Sequence, residues 1–198
     1  MIHIGSEDKM NKEKAHAELW YPMRVTYSRE LKVKQHLDEL GITNFIPLHY
    51  EVVEKKGERE RKLVPAIHNL IFVHAEKDFL IDLKNTDPLI EPLRFVVRKS
   101  VLDKDAESLI ITVSDKDMEN FMRVAAVKDE SVIFLTDCEG LKGKGVKVKV
   151  IKGPFAGVTG KVVRIHGNKH VVVMLEDLAA VAVTYIPMEN LIKIITSI

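Results

Sequence analysis

The chain has 198 residues, 46% of them hydrophobic and 30% charged, a composition of soluble globular proteins with room for two small domains. No apolar run approaches the ~20 residues that cross a bilayer, and the opening MIHIGSEDKMNKEKAHAE lacks the apolar core of a secretory signal, so a cytoplasmic location without a membrane partner is expected. The lone Cys138 excludes an internal disulfide and any multi-cysteine zinc site, and the net charge of +1 excludes a strongly basic or acidic protein.

Residues 1–17 carry no apolar periodicity and are expected to form a mobile tail. A compact unit then opens with Leu19 to Tyr27, rich in strand formers, where Pro22 marks an edge or bulge. Ser28 is positioned to cap a helix running to Leu40, with Gly41 as its stop. On that helix Leu31, Val33, Leu37 and Leu40 supply the apolar positions, while Arg29, Lys32 and His36 share another face. Residues 43–53 read as strand. Glu54 to Lys62 reads as a charged hairpin tip centred on Gly57, and its mixed signs point to solvent. Leu70 to Val73 is a continuous apolar run suited to a central strand covered on both sides. A short helix over Asp78 to Asn85 and a strand over Phe95 to Val97 follow. Ser114 to Asp117 resembles a capping box, opening a helix whose Met118, Phe121, Met122 and Ala125 form one buried stripe. Strands alternating with helices describe an α/β sandwich over 18–127.

Residues 128–143 hold a short apolar segment, Val132 to Leu135, followed by spaced glycines, and read as a linker. The remainder, 144–198, changes character. Val146 to Val150 alternates strictly, as a half-buried strand does. Gly160 to Ile165, Val171 to Leu175, Val181 to Ile186 and Leu191 to Ile195 follow, with Gly167-Asn168 as a hairpin turn. Five short strands in so few residues imply a small barrel. From Gly140 onward nine Lys/Arg face three acidic residues, a charge of +6, which leaves −5 for the rest. Such asymmetry points to two units with different surfaces, and a charge of +6 is compatible with weak nucleic-acid contact.

The stretch Val146 to Val163, especially Val150-Ile151-Lys152-Gly153-Pro154-Phe155-Ala156-Gly157-Val158-Thr159-Gly160-Lys161-Val162-Val163, resembles a KOW motif. Upstream, Trp20-Tyr21, the following helix, Phe45-Ile46-Pro47, Pro65 to Val73 and Ile111 to Lys116 resemble a NusG amino-terminal domain in the right order. The resemblance implies an α+β chain: a NusG α/β sandwich domain followed by a small SH3-like five-stranded KOW β-barrel. Pro65-Ala66-Ile67-His68-Asn69-Leu70-Ile71-Phe72-Val73 resembles the specialised paralogues of the RfaH and UpxY type more than the housekeeping protein. Asn69 stands there for the glycine of housekeeping forms, and both residue types tolerate a left-handed backbone. His68 and Leu70 depart from the proline and tyrosine usual in that motif.

What the resemblance implies is a non-enzymatic transcription elongation factor that binds RNA polymerase and promotes processivity or antitermination on a restricted set of operons. Its first domain would hold the polymerase clamp helices in an exposed apolar depression, carried over to Ile67, Leu70, Phe72 and Phe95. A segment at Ile81 to Lys84 would reach the other side of the polymerase cleft. Arg29, Lys32 and His36 would meet non-template DNA, although a solvated helix face explains the same three residues. The barrel would recruit a ribosomal protein or another factor. Glu176 to Ala180 lacks the aromatic and arginine with which housekeeping relatives engage Rho. The β-branched composition of the barrel segment favours a constitutive barrel over a helical alternative.

An RNA-binding or ribosome-associated KOW protein is the alternative, and it leaves residues 19–127 without a role. An enzyme is not expected. There is no phosphate-cradling glycine loop, HExxH pair or nucleophile elbow. Cys138 lies between Asp137 and Glu139, which disfavours a thiolate. No cofactor and no metal are expected.

Overall fold

The computed structural model describes residues 17–55, 58–98, 108–128, 130–135, 138–141, 145–175, 178–184 and 186–195. All but Ala17 of the expected tail lies outside this set, as do Gly57, Gly143, Glu176 and Asp177. Two compact units emerge. One gathers the described residues up to Ile46 together with His68–Ser114, and the other gathers Pro47–Ile67 with Asp115 onward.

The first unit is built on four antiparallel strands in the order β2-β5-β1-β6: β1 (Leu19–Arg24), β2 (Asn44–Phe45), β5 (Leu70–Ala75) and β6 (Arg94–Phe95). β5 sits between β1 and β2, and Leu70 to Val73 are buried on both of its faces, which is why the run does not alternate. Helix α1 (Glu30–Glu39) buries Glu30, Val33 and Leu37. Leu31 lies about 100° around the helix from Glu30, and Leu40 follows the last helical residue, so both expected core positions are about half exposed. Ser28 is not the cap. It has φ 50 and Tyr27 has φ 61, a left-handed pair that ends the extended chain after β1 and makes Arg29 the residue preceding the helix. Gly41, at φ 72, is the expected helix stop. Helix α2 (Lys77–Thr86) follows β5, and a short pair, β7 (Val97–Arg98) with β8 (Leu109–Ile110), completes this unit.

The second unit begins with a long hairpin, β3 (Leu48–Lys55) paired with β4 (Glu58–Pro65). The strand expected over 43–53 is therefore two strands. Pro47 lacks the N–H to continue a ladder and separates β2 from β3. Helix α3 (Asp115–Ala125) buries Met118, Phe121, Val124 and Ala125, while Met122 is only half-buried. It packs against β12 (Asn168–Leu175) and β13 (Ala179–Val183). Those strands belong to a six-stranded antiparallel sheet in the order β14-β10-β11-β12-β13-β9, with β9 (Val132–Leu135), β10 (Val146–Val150), β11 (Thr159–Ile165) and β14 (Leu191–Lys193). The sequence pattern alone places α3 with the first domain and reads 128–143 as linker. Instead β9 pairs with Ala180–Val183. Without it β13 would be an edge made wholly of buried Ala and Val, a surface that seeks another strand.

The hairpin between β11 and β12 turns at His166–Gly167, one residue earlier than the sequence suggested. Their φ values of 48 and 85 are both positive, as a two-residue type I′ turn requires, and Asn168 already pairs with Ile165. Cys138 is buried with Val163, Val172, Ala180 and Ala182, its thiol 3.9 Å from the Leu135 carbonyl, as a small apolar packing residue.

Candidate functional site

Of the four apolar residues carried over from the resemblance, three are core. Leu70 and Phe72 are fully buried in β5, and Ile67 is buried at the foot of the hairpin, in the other unit. An exposed depression formed by these three is thus corrected. For Leu70 and Phe72 the cause is the double-faced burial of β5, which the continuous apolar run itself implies, and Ile67 is buried outside that strand. Phe95 is different. It sits half-buried on β6, the edge of its sheet, with the Tyr21 ring edge-on at 5.4 Å and the Lys84 ammonium 5.5 Å from its ring centre. Burial, together with repulsion from Arg94, pulls the Lys84 pKa below its ordinary value against the attraction of Glu91. A cation over an aromatic face at a sheet edge is a place where an apolar partner and an acidic one can both find contacts.

The motif around Asn69 does hold the left-handed backbone expected of it, with φ 59. The peptide is tied on both sides. Its N–H donates to the buried Glu30 carboxylate, and its carbonyl accepts from the Val25 N–H at 3.1 Å. Glu30 stands in the first turn of α1 and was not singled out from sequence; a carboxylate at a core-facing helix position was the available signal.

The basic helix face divides. Arg29 and Lys32 are exposed, one turn apart. The Arg29 guanidinium lies 5.3 Å over the Tyr27 ring, and Tyr27 is 83% exposed because the left-handed pair at 27–28 turns it out of the sheet. Tyr27 was read as a strand residue, so its place beside Arg29 was missed. His36 does not join them. Its Nε2 lies 2.6 Å from Asp87 Oδ2, with Glu39 at 3.8 Å from Nδ1. The hydrogen bond to Asp87 raises the His36 pKa despite partial burial, and the charges of Asp87 and Glu39 add to it. A histidine engaged this way ties α1 to the end of α2 and has its charge answered within the protein. In the fold it serves as a structural tie.

In the second unit, the Asn120 side chain grips Thr159 twice. Its Nδ2 donates to Thr159 Oγ1 at 3.1 Å and its Oδ1 accepts from the Thr159 N–H at 3.2 Å, while Arg123 donates to the Ala156 carbonyl at 3.1 Å. Ala179 and Ala180 are buried, and neither they nor the partly buried Leu178 provide an aromatic or cationic contact. Among the described residues no group of three His, Cys, Asp or Glu is placed to hold a metal ion. No described helix is long and apolar enough to cross a membrane.

Comparison with family models agrees with the order of these parts. Residues 18–122 match the model described as transcription termination factor nusG, and residues 144–176 match the KOW motif. No curated protein matches the chain. The first model spans more than half of the sequence and the second follows it in the order expected of such a chain. The protein belongs to the NusG family of non-enzymatic transcription elongation and termination factors.

Proposed function

We propose that this chain is an elongation factor that binds the clamp helices of RNA polymerase and favours processive, antiterminated transcription on a restricted set of operons, as specialised paralogues of the RfaH and UpxY type do. The single observation that carries the reading is the ordered NusG and KOW match over 18–122 and 144–176. In this reading an amino-terminal domain over 18–127 works at the polymerase, and a KOW domain over 144–198 recruits a ribosomal protein or another factor. Five strands, β10 to β14, would curl into the small SH3-like barrel. The absence of an aromatic or arginine at Leu178 to Ala180 argues against recruitment of Rho. The protein would act in the cytoplasm, at the nucleoid through its polymerase.

Phe95 is the polymerase contact we favour, with Ile81 to Lys84 nearby on α2 for the opposite side of the cleft. Leu70 and Phe72 would support that surface from the core of the same unit. Arg29 and Lys32 would hold non-template DNA phosphates, and Tyr27 would offer a ring to an extruded base. Preference for the closed clamp would come from binding that state more tightly than the paused one.

The test is capture of purified core polymerase by the full chain and by Phe95→Asp. The half-buried Phe95 tolerates a charge that the buried Leu70 would not. Capture by the wild type, reduced roughly tenfold or more by the substitution, is the expected result for loss of one aromatic anchor worth about 1.5–3 kcal/mol. No capture by the wild type, with RNA retained by the chain, would replace this reading with that of a ribosome-associated KOW protein.

A further inference from the structure

The β3/β4 hairpin looks unselective when its charges are read in a line, because Glu, Lys and Arg intermingle from Glu51 to Lys62. Pairing sorts them. In an antiparallel ribbon, directly opposed residues share a face and neighbours along a strand do not. The register Tyr50↔Leu63, Val52↔Arg61 and Glu54↔Arg59 therefore puts two arginines, one tyrosine and one valine on a single face with only one glutamate. The other face carries Glu51, Glu58 and Glu60 against Lys62 and, by register, Lys55, and the Lys62 ammonium is already 3.6 Å from Glu60.

The basic face is built for more than solvation. Tyr50 and Val52 are 49% and 60% exposed, and the Arg61 guanidinium stands 4.6 Å from the Tyr50 ring centre. This face opens on a groove of about 430 Å³ whose opposite wall is Val132 and Phe134 of β9, with Lys128 at its margin. His49 reaches the same groove, its ring 6.5 Å from that of Phe134. Flat rings beside fixed cations are the chemistry that stacks bases and neutralises phosphates. Glu130 also lines the groove. A carboxylate is repelled by phosphate but accepts a hydrogen bond from a ribose 2′-hydroxyl, the group that distinguishes RNA from DNA.

We propose that the groove between the hairpin and β9 binds single-stranded RNA, with Tyr50 stacking on a base and Arg61 and Lys128 on the flanking phosphates. This site is separate from the Arg29–Lys32 face and does not depend on the polymerase reading. The experiment uses the full chain carrying Arg29→Ala and Lys32→Ala, so that α1 contributes nothing, and follows the anisotropy of a labelled twelve-nucleotide RNA of mixed sequence. Tyr50→Ala and Arg61→Ala are each expected to weaken binding roughly tenfold, while Lys62→Ala on the acidic face leaves it unchanged. Affinity is expected to fall as salt rises, and a DNA strand of the same sequence is expected to compete less well than RNA. Absence of RNA binding, or binding unaffected by Tyr50→Ala, would overturn the proposal. Equal competition by the DNA strand would overturn the assignment to RNA, and equal competition by polyglutamate would show an acidic-peptide site instead. Circular dichroism of each variant separates loss of contact from loss of fold.

Discussion

Glu30 and His36 lie on one short helix, and each does something that its residue type alone does not announce. The Glu30 carboxylate is buried and accepts the N–H of the exposed Asn69, so removing it takes away a charge-assisted bond that holds the left-handed turn. Glu30→Ala is expected to lower the unfolding free energy by about 1–3 kcal/mol, read from urea denaturation. Glu30→Gln, which retains an accepting oxygen, should lose less. For His36 the sign of the effect follows from its partner. Its pKa is raised above 6.5, so its contribution is complete below that value and is lost as pH rises through the raised one. Asp87 is lowered from 3.8, first by the His36 hydrogen bond and then by the Leu89 N–H, so its contribution is complete above 3.8 and is lost as pH falls through the lowered value. The tie is therefore fullest between 3.8 and 6.5. An NMR titration should place the His36 midpoint above 6.5, and Asp87→Asn should return it toward that value.

At the scale of elements, helix α3 shows how an apolar stripe settles a helix without settling its neighbour. Met118 and Phe121 guaranteed that this face would be buried; the paired hydrogen bonds of Asn120 with Thr159 bind the helix to β11. Asn120→Ala deletes both bonds and is expected to speed amide exchange in α3 more than in β12, measured by hydrogen–deuterium exchange. β11 offers a second test. A Cβ at Gly160 would come within 2.7 Å of the Val172 carbonyl oxygen, so the glycine is there to let two strands approach. Gly160→Ala is expected to cost about 1–3 kcal/mol through overpacking, seen as a lower Tm. The hairpin makes the complementary point, because its charges acquire meaning only when strand pairing sorts them by face.

For the whole molecule, the decisive experiment remains capture of core polymerase by the wild type but not by Phe95→Asp. The α+β class, most strands and helices within a few residues, and the ordered NusG and KOW parts were legible in the sequence. They rest on local periodicity, turn chemistry and motif order, which act between near neighbours. Only tertiary structure decided that Ile67 is core, that β9 completes a sheet rather than a linker, and that α3 lies on β12 and β13. It also paired His36 with Asp87 and set Tyr27 beside Arg29. Each of these depends on a partner distant in sequence or on the hand of a few backbone angles. Apolar pattern says that a residue will be covered, and only packing says by what.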